Sequence, residues 1–570
     1  MEREFTDMFY SFAGFEPEQP KQPDSDFSPD EFSKLNSEML KTSINLVLSR
    51  WFHLLGLVKY SSTFIAPYWN AAKYFAEVEG KGPRKCSPWH TASDFIELLL
   101  FDMQLAAKGT FSGVNAMSQY HSRELAEALN AVSRLVLHHD TEDLVGYSEK
   151  QLKLMNTVVN MYPAAIREIE PEYGFHFDNG GYVKVAETDR FELYQVLPVK
   201  KGVKVNQTGK PTLVIPPYVL GANVLALLPG EDRSYVHAFA NHGIPTYVRI
   251  VKDIHKNPAV QVMTGEDDAH DTRLFAEKIV ERHGKPITLN GYCQGGFMSV
   301  IDLLSGELDG LVDALITCVA PMDGSRSKSL MQYIHHLPHR FLDLGYSLKT
   351  LPNGNKVVDG KVIGWIFKLK SVERESPMSN FYRDLAMFDR VVEGSSARIS
   401  KAAAAISHWL TYDGTDLPVE ITRLSYESYT KPVAPDGTLP MKLFGRALNF
   451  RRLKEKGIKW LLCISENDDL IDGEAALAAL DHVDAEVVVF PKGHAAIATS
   501  WSYPASECPL DISFDKTRCS NGQSRGPVRF QLDLDKEMED DSARGSEPTS
   551  AGSVEENGQF GRAEDELLQS

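Results

Sequence analysis

Residues 287–300 read Ile-Thr-Leu-Asn-Gly-Tyr-Cys-Gln-Gly-Gly-Phe-Met-Ser-Val, and this stretch restricts the fold more tightly than any other. The apolar run before Gly291 predicts a short buried strand. The run after Gly296 continues into Ile301-Asp302-Leu303-Leu304 at helical spacing. Between them sits Gly291-x-Cys293-x-Gly295. A sharp strand-to-helix turn of this kind holds its middle residue in a strained backbone conformation, and the flanking glycines let strand and helix approach because neither carries a Cβ. The Cys293 side chain then projects above the sheet edge near a helix N-terminus, a position that favours the thiolate. The backbone N–H of Gln294 points at the same place and suits an oxyanion. A Gly-rich turn around a structural cysteine would look the same in isolation, so the reading depends on partners elsewhere in the chain.

Those partners lie in a chain that alternates strands with helices. Tyr182–Val185 and Phe191–Val196 alternate with a period of two. Pro211–Ile215, Thr246–Val251, Leu315–Ala320, Ile458–Ile464 and Ala485–Phe490 read as buried strands, with helices at 232–241, 272–282 and 474–480. Such alternation implies an α/β fold, a mostly parallel sheet with helices on both faces and its ligand at the strand carboxyl ends. A nucleophile elbow in such a sheet is the α/β-hydrolase arrangement, whose chain order is nucleophile, acid, base. Ser465-Glu-Asn-Asp468-Asp469 follows one late strand, and Pro491-Lys-Gly-His494 follows the next. His494 is the expected base. The acid is Asp468 or Asp469, with Asp468 favoured four residues beyond the strand end. Tyr218 or Val219 is expected to give the second oxyanion N–H, since Pro216 and Pro217 have none.

The remaining segments are read by composition. Residues 1–35 are rich in Pro, Asp, Glu, Ser and Phe and predict a disordered arm. Residues 36–180 predict a helical N-terminal region. Its stripe from Leu46 to Tyr74 reads either as a buried helix face or as a docking surface for an apolar body. Within a catalytic domain at 181–505, the insertion at about 325–450 is where a helical lid would lie. Residues 506–570 predict a disordered acidic tail. A net charge of −18 argues against nucleic acid as a partner. Six scattered cysteines without a Cys-x-x-Cys pair suit a reducing cytoplasm. No secretory signal is read at the N-terminus, and no uncharged apolar run reaches the ~18 residues of a spanning helix. No cofactor or metal is expected. His335, His336 and His339 lack the accompanying ligands of a metal site and read as a lid helix face.

Gly-Tyr-Cys-Gln-Gly-Gly at 291–296 resembles the lipase-like box of polyhydroxyalkanoate synthases, in the class III form where Gln follows Cys. Leu213–Tyr218, Thr317–Asp323 and Trp409-x5-Thr415-Asp-Leu-Pro418, with Tyr426 and Tyr429 downstream, are similar to further family segments across about residues 185–500. Asp468 and His494 fall on the family's acid and base. The family commonly carries His after that Asp, where this chain has Asp469. Residues 36–170 do not match the family's N-terminal domain. The resemblance implies an acyltransferase that polymerises 3-hydroxyacyl-CoA into polyester through a Cys293 thioester, releasing CoA. It also implies a homodimer or a second synthase subunit, and a polyester granule surface, as partners. The same triad with water admitted gives a thiol hydrolase, either a polyester depolymerase or a thioesterase. A non-catalytic granule-coat protein built on the Trp-rich helices is the third reading.

Overall fold

The computed structural model describes residues 29–81, 87–138, 141–219, 221–328, 331, 347–363, 377–392, 399–468, 470–514 and 524–545. In chain order its longer helices are α1 (Pro29–Lys81), α2 (Pro88–His138), α3 (Glu142–Asn156), α4 (Gly265–His283), α5 (Gln294–Ser305), α6 (Pro377–Val392), α7 (Lys401–Tyr412), α8 (Val419–Thr430) and α9 (Pro527–Gly545). Contacts divide the chain into a helical unit (1–66, 105–164, 372–399) and a larger α/β unit (67–104, 165–371, 400–570).

In the helical unit, α3 and the turn after it bury Leu154, Met155, Val158 and Val159, and α6 buries Phe381 and Leu385. α1 turns an unexpected face inward. Thr42, Asn45, Ser49 and His53 are buried, while Leu40, Ile44, Val47, Trp51, Leu54 and Val58 are exposed. Two of these inward polar groups have side-chain partners, while the Thr42 hydroxyl is buried without one among the described residues. Asn45 Nδ2 donates to Ser148 Oγ at 3.2 Å, and Tyr382 OH lies 3.3 Å from His53 Nε2. Gly56 lets the Phe381 ring approach, since a Cβ there would sit 2.4 Å from it. Of the two sequence readings of the apolar stripe, the described part of α1 does not fit the buried face.

In the α/β unit the strands β1 (Tyr182–Glu187), β2 (Phe191–Val196), β3 (Thr212–Ile215), β4 (Thr246–Val251), β5 (Ile287–Tyr292), β6 (Val312–Cys318), β12 (Lys459–Ser465) and β13 (Glu486–Phe490) form one sheet. Its order is β1-β2-β4-β3-β5-β6-β12-β13. Pairing is parallel from β4 to β13, and only β2 runs antiparallel to its neighbours. Every residue of the central strand β5 is buried, as a strand covered by helices on both faces requires. α4 begins with a capping box, Thr264 with Asp267, and ends at Gly284 in the left-handed region. This sheet, with a turn directly from β5 into α5, is the α/β-hydrolase fold.

Three expectations differ from what is observed. The insertion after β6 is not wholly helical. It holds a small sheet of β7 (Leu348–Thr350), β8 (Lys356–Val358) and β9 (Leu417–Pro418), then α7 and α8, then a hairpin of β10 (Thr438–Leu443) and β11 (Arg446–Asn449). Its α6 belongs to the helical unit. At the N-terminus α1 already starts at Pro29, and residues 1–28 lie outside the described residues. At the other end, the expected tail contains α9, with Val528, Phe530, Gln531 and Leu534 buried. The apolar spacing of these residues is masked by the surrounding acidic composition. Gln531 Nε2 donates to the Lys210 carbonyl at 2.9 Å, and Asp535 accepts from Lys210 N at 2.7 Å. Residues 546–570 and His335, His336 and His339 lie outside the described residues. Among the described residues no helix is long and apolar enough to cross a membrane.

Candidate active site

The ends of β3, β5, β12 and β13 carry the residues that the sequence singled out. Cys293 joins β5 to α5 with φ 51° and ψ −121°, a conformation that costs a non-glycine residue free energy and persists only where its surroundings enforce it. The enforcement is steric. A Cβ on Gly291 would stand 2.4 Å from Gly296 Cα, and one on Gly295 would stand 2.2 Å from the Ile215 carbonyl oxygen. The Cys293 N–H donates to the Cys318 carbonyl at 2.8 Å, which ties the elbow to β6.

Asp468 and His494 meet above β12 and β13. His494 Nδ1 lies 2.9 Å from Asp468 Oδ2 and 3.1 Å from Oδ1. The carboxylate also accepts from Leu470 N and Ile471 N, each at 2.9 Å. Four contacts of this kind fix its orientation, and they direct Nδ1–H of the ring at the acid. The alternative acid, Asp469, lies outside the described residues. His494 Nε2 is buried without a hydrogen bond of ordinary geometry among the described residues. Burial works against a charge on this ring, but the charges of Asp468 and Cys293, with hydrogen bonding to both, outweigh it. The pKa of His494 is thereby raised well above that of an ordinary imidazole. Cys293 acts on the ring alongside Asp468, the larger influence.

Two residues that the sequence reading did not assign neighbour these groups. Tyr292, the residue before the nucleophile, donates its hydroxyl to the His494 carbonyl at 2.7 Å. It therefore couples the base loop to β5. Tyr429 of α8 packs over Gly324, where an added Cβ would be 2.3 Å from its ring. Burial pushes the Tyr429 phenol up, and the charges of Cys293 and Asp468 push it further. No spacing rule would single out Tyr292. Tyr429 came only with the family resemblance.

The oxyanion donors are placed less simply. Gln294 opens α5, where a first-turn N–H has no acceptor in its own helix. Gln294 is 5% exposed. Oε1 accepts from Val219 N at 3.0 Å, and Nε2 donates to Ser425 Oγ of α8 at 2.6 Å. Val219 N–H, one of the two expected second donors, is thus engaged by Gln294 in this structure. The cause is a glutamine long enough to reach across from the elbow. Tyr218 keeps its main-chain N–H as the other candidate, while its hydroxyl is directed into the core at Asp268.

Cys293 and His494 are 7% and 8% exposed. Such a site is poor in water. Among the described residues no group of three or more His, Cys, Asp or Glu could hold a metal ion. The arrangement sets a cysteine on a strained turn at the start of a helix, and near it an imidazole oriented by a carboxylate. These are groups of the kind that acyl transfer to and from sulfur requires.

Comparison with known proteins adds only distant likenesses. No protein-family model matches the chain, and no curated protein matches it. Among solved structures, the carboxylesterase CesB (YbfK) from Bacillus subtilis overlaps 60% of this chain and 92% of its own, at 12% identity and a TM-score of 0.31. A carboxylesterase from the thaumarchaeon Nitrososphaera gargenis overlaps 55% and 91%, at 13% identity and a TM-score of 0.27. The thioesterase domain of the curacin biosynthetic pathway overlaps 57% and 95%, at 11% identity and a TM-score of 0.30. The fold assignment rests on the strand order and the elbow, not on these overlaps.

Proposed function

We propose that this protein is a cysteine-dependent acyl-transfer enzyme of the α/β-hydrolase fold, acting on an ester or thioester through an acyl-Cys293 intermediate. The observation that carries the reading is the arrangement of Cys293 at φ 51° with the buried Asp468–His494 pair. Cys293 Sγ attacks the acyl carbonyl, the oxyanion rests on the Gln294 N–H, and His494 passes its proton to the departing group. When that group is a thiol, one thioester replaces another at little cost, and the acyl group stays activated. His494 then removes a proton from the acceptor, which attacks the thioester and frees the sulfur.

The acceptor separates two functions. With water, the enzyme is a thiol esterase or thioesterase, and nothing beyond the fold and the triad is needed to support this. With the hydroxyl of a 3-hydroxyacyl chain, it is the polyester synthase whose Gly-Tyr-Cys-Gln-Gly-Gly box this sequence resembles. The low exposure of Cys293 and His494 favours that second reading, because it protects the acyl-enzyme from hydrolysis. A polyester granule surface, a second copy and a second synthase subunit are partners of this reading. The exposed apolar stripe of α1 would suit the granule surface.

Incubation with 3-hydroxybutyryl-CoA, following free CoA and product together, tests the proposal. CoA release that vanishes in Cys293→Ala supports acyl transfer. Insoluble polymer then assigns synthesis, and free acid alone assigns hydrolysis. CoA release and ester turnover that persist unchanged in Cys293→Ala would refute both.

A further inference from the structure

Beneath the oxyanion loop, two carboxyl groups and one guanidinium are sealed inside the α/β unit. Asp268 of α4 and Asp302 of α5 are each 0% exposed, and Arg249 of β4 is 2% exposed. Arg249 Nη2 stands 2.9 Å from Asp268 Oδ1. The Tyr218 hydroxyl donates to that same oxygen. Arg249 Nη1 donates to Thr272 Oγ1 at 2.5 Å. Asp302 has a poorer environment. Its Oδ2 is 3.2 Å from the Thr272 hydroxyl, and no cation pairs with it among the described residues. The charged and titratable groups facing Asp302 are Asp268 on α4 and Arg249 on β4, with the Tyr218 phenol of the oxyanion loop bonded to both of these.

Two oxygens are left over. Asp268 Oδ2 and Asp302 Oδ1 are buried with no donor, yet the two carboxyl groups lie within hydrogen-bonding reach of each other. One guanidinium cancels one carboxylate, and a second bare carboxylate in a dry interior is prohibitively costly. A proton placed between the orphan oxygens satisfies both at once. It is placed on Asp302, because the guanidinium and the phenol hydroxyl already face Asp268 while no cation pairs with Asp302 among the described residues.

We infer that Asp302 is a protonated carboxylic acid at neutral pH that donates to Asp268, and that it acts as a positioning residue for the oxyanion loop. The bonds form a ring that starts and ends on the elbow helix. It runs from Asp302 to Asp268, from Asp268 to the Tyr218 hydroxyl, along the chain to Val219 N–H, and from there to Gln294 Oε1. The helix behind Cys293 and the loop opposite it are thereby held at one spacing. This positioning role deepens the acyl-transfer reading and rests on it only for its kinetic consequence.

Burial and the neighbouring Asp268 raise the proton affinity of Asp302 far above that of a solvated carboxyl. A raised carboxyl pKa contributes stability that is complete at acid pH and is lost as pH rises through the titration of the folded pair. The test uses the full chain, with Asp302→Asn, which keeps a donor and cannot ionise, and Asp302→Val, which cannot ionise and has no donor. Infrared difference spectra of wild type minus Asp302→Asn at neutral pH should show a protonated-carboxyl band; no band overturns the shared proton. Unfolding measured from about pH 4 upwards should show wild type losing stability that Asp302→Asn keeps; parallel profiles overturn it as well. Amide exchange at residues 216–222 should stay slow in Asp302→Asn and quicken in Asp302→Val; equal exchange in all three overturns the positioning role. Should Asp302→Val not fold, partial alkaline loosening of 216–222 in wild type but not in Asp302→Asn replaces that arm, and its absence overturns the role. On an ester substrate, Asp302→Val should lower kcat towards the roughly 10²-fold lost with an oxyanion donor, with KM little changed, and Asp302→Asn should restore it. An inactive wild type would defeat the preceding function, while the spectroscopic, unfolding and exchange arms would still decide this one.

Discussion

The two units bury polar groups in opposite ways. In the α/β unit the apolar strands fill the core, and its most buried charged groups are drawn into pairs, such as Arg249 with Asp268 or Asp468 with His494. In the helical unit, α1 presents Thr42, Asn45, Ser49 and His53 to the interior and leaves Val47, Trp51, Leu54 and Val58 outside. Apolar residues therefore mark where the sheet packs but not where α1 packs. The contrast teaches that periodicity reports an element and its stripe, whereas the partner decides which face is buried.

The sharpest way to break the contrast is at Cys293, Asp468 and His494, the buried groups to which the proposed function assigns the chemistry. Cys293→Ala is expected to remove acyl transfer to background while leaving the unfolding transition in place. Asp468→Asn is expected to lower kcat by roughly 10²- to 10⁴-fold, since it loses the group that orients and charges His494. A smaller loss would mean that another acid serves the ring, which steady-state kinetics would reveal. The next effect is in packing. Leu289→Ala in β5 should destabilise the α/β unit by about 2–5 kcal/mol, read from denaturant unfolding. Trp51→Ala on α1 should fall within about 0.5 kcal/mol, as an exposed substitution does. Comparable losses at the two positions would show that the face of α1 holding Trp51 is covered in solution. The mildest test is pH. Burial, with the charges of His121 and Arg50 adding to it, lowers the His53 pKa to about 4. A depressed value contributes stability present above the unfolded pKa and lost as pH falls through the folded one. The helical unit should therefore lose stability from about pH 6.5 towards pH 4, and His53→Gln should flatten that limb in a pH series of unfolding.

The legibility of the sequence follows the same division. Strands β3, β5, β6, β12 and β13 could be read because each is a short apolar run next to punctuating Gly, Pro or polar residues. The elbow could be read because Gly291 and Gly295 stand where only a hydrogen fits. Cys293, Asp468 and His494 could be placed because a parallel sheet brings strand ends together in a known order. Gln294 Oε1 occupying Val219 N–H could not be read, because it depends on side-chain reach across 75 residues of sequence. α9 escaped notice because a helix with one narrow buried face among acids has the composition of a solvated tail. The ring through Asp302 was hidden for a similar reason: a carboxyl on an amphipathic helix looks like a surface residue until its neighbours are known.

α9 also bears on where this chain can safely be shortened. Lys210 is an ammonium 2% exposed beneath the sheet, its Nζ bound to Asp313 and to the Pro286 carbonyl, and α9 covers its backbone. A cut at residue 520, which composition alone would recommend, strips that cover. It would admit solvent to a buried cation and leave a less stable truncate. A cut after 545 spares the helix, and is the place for an affinity handle.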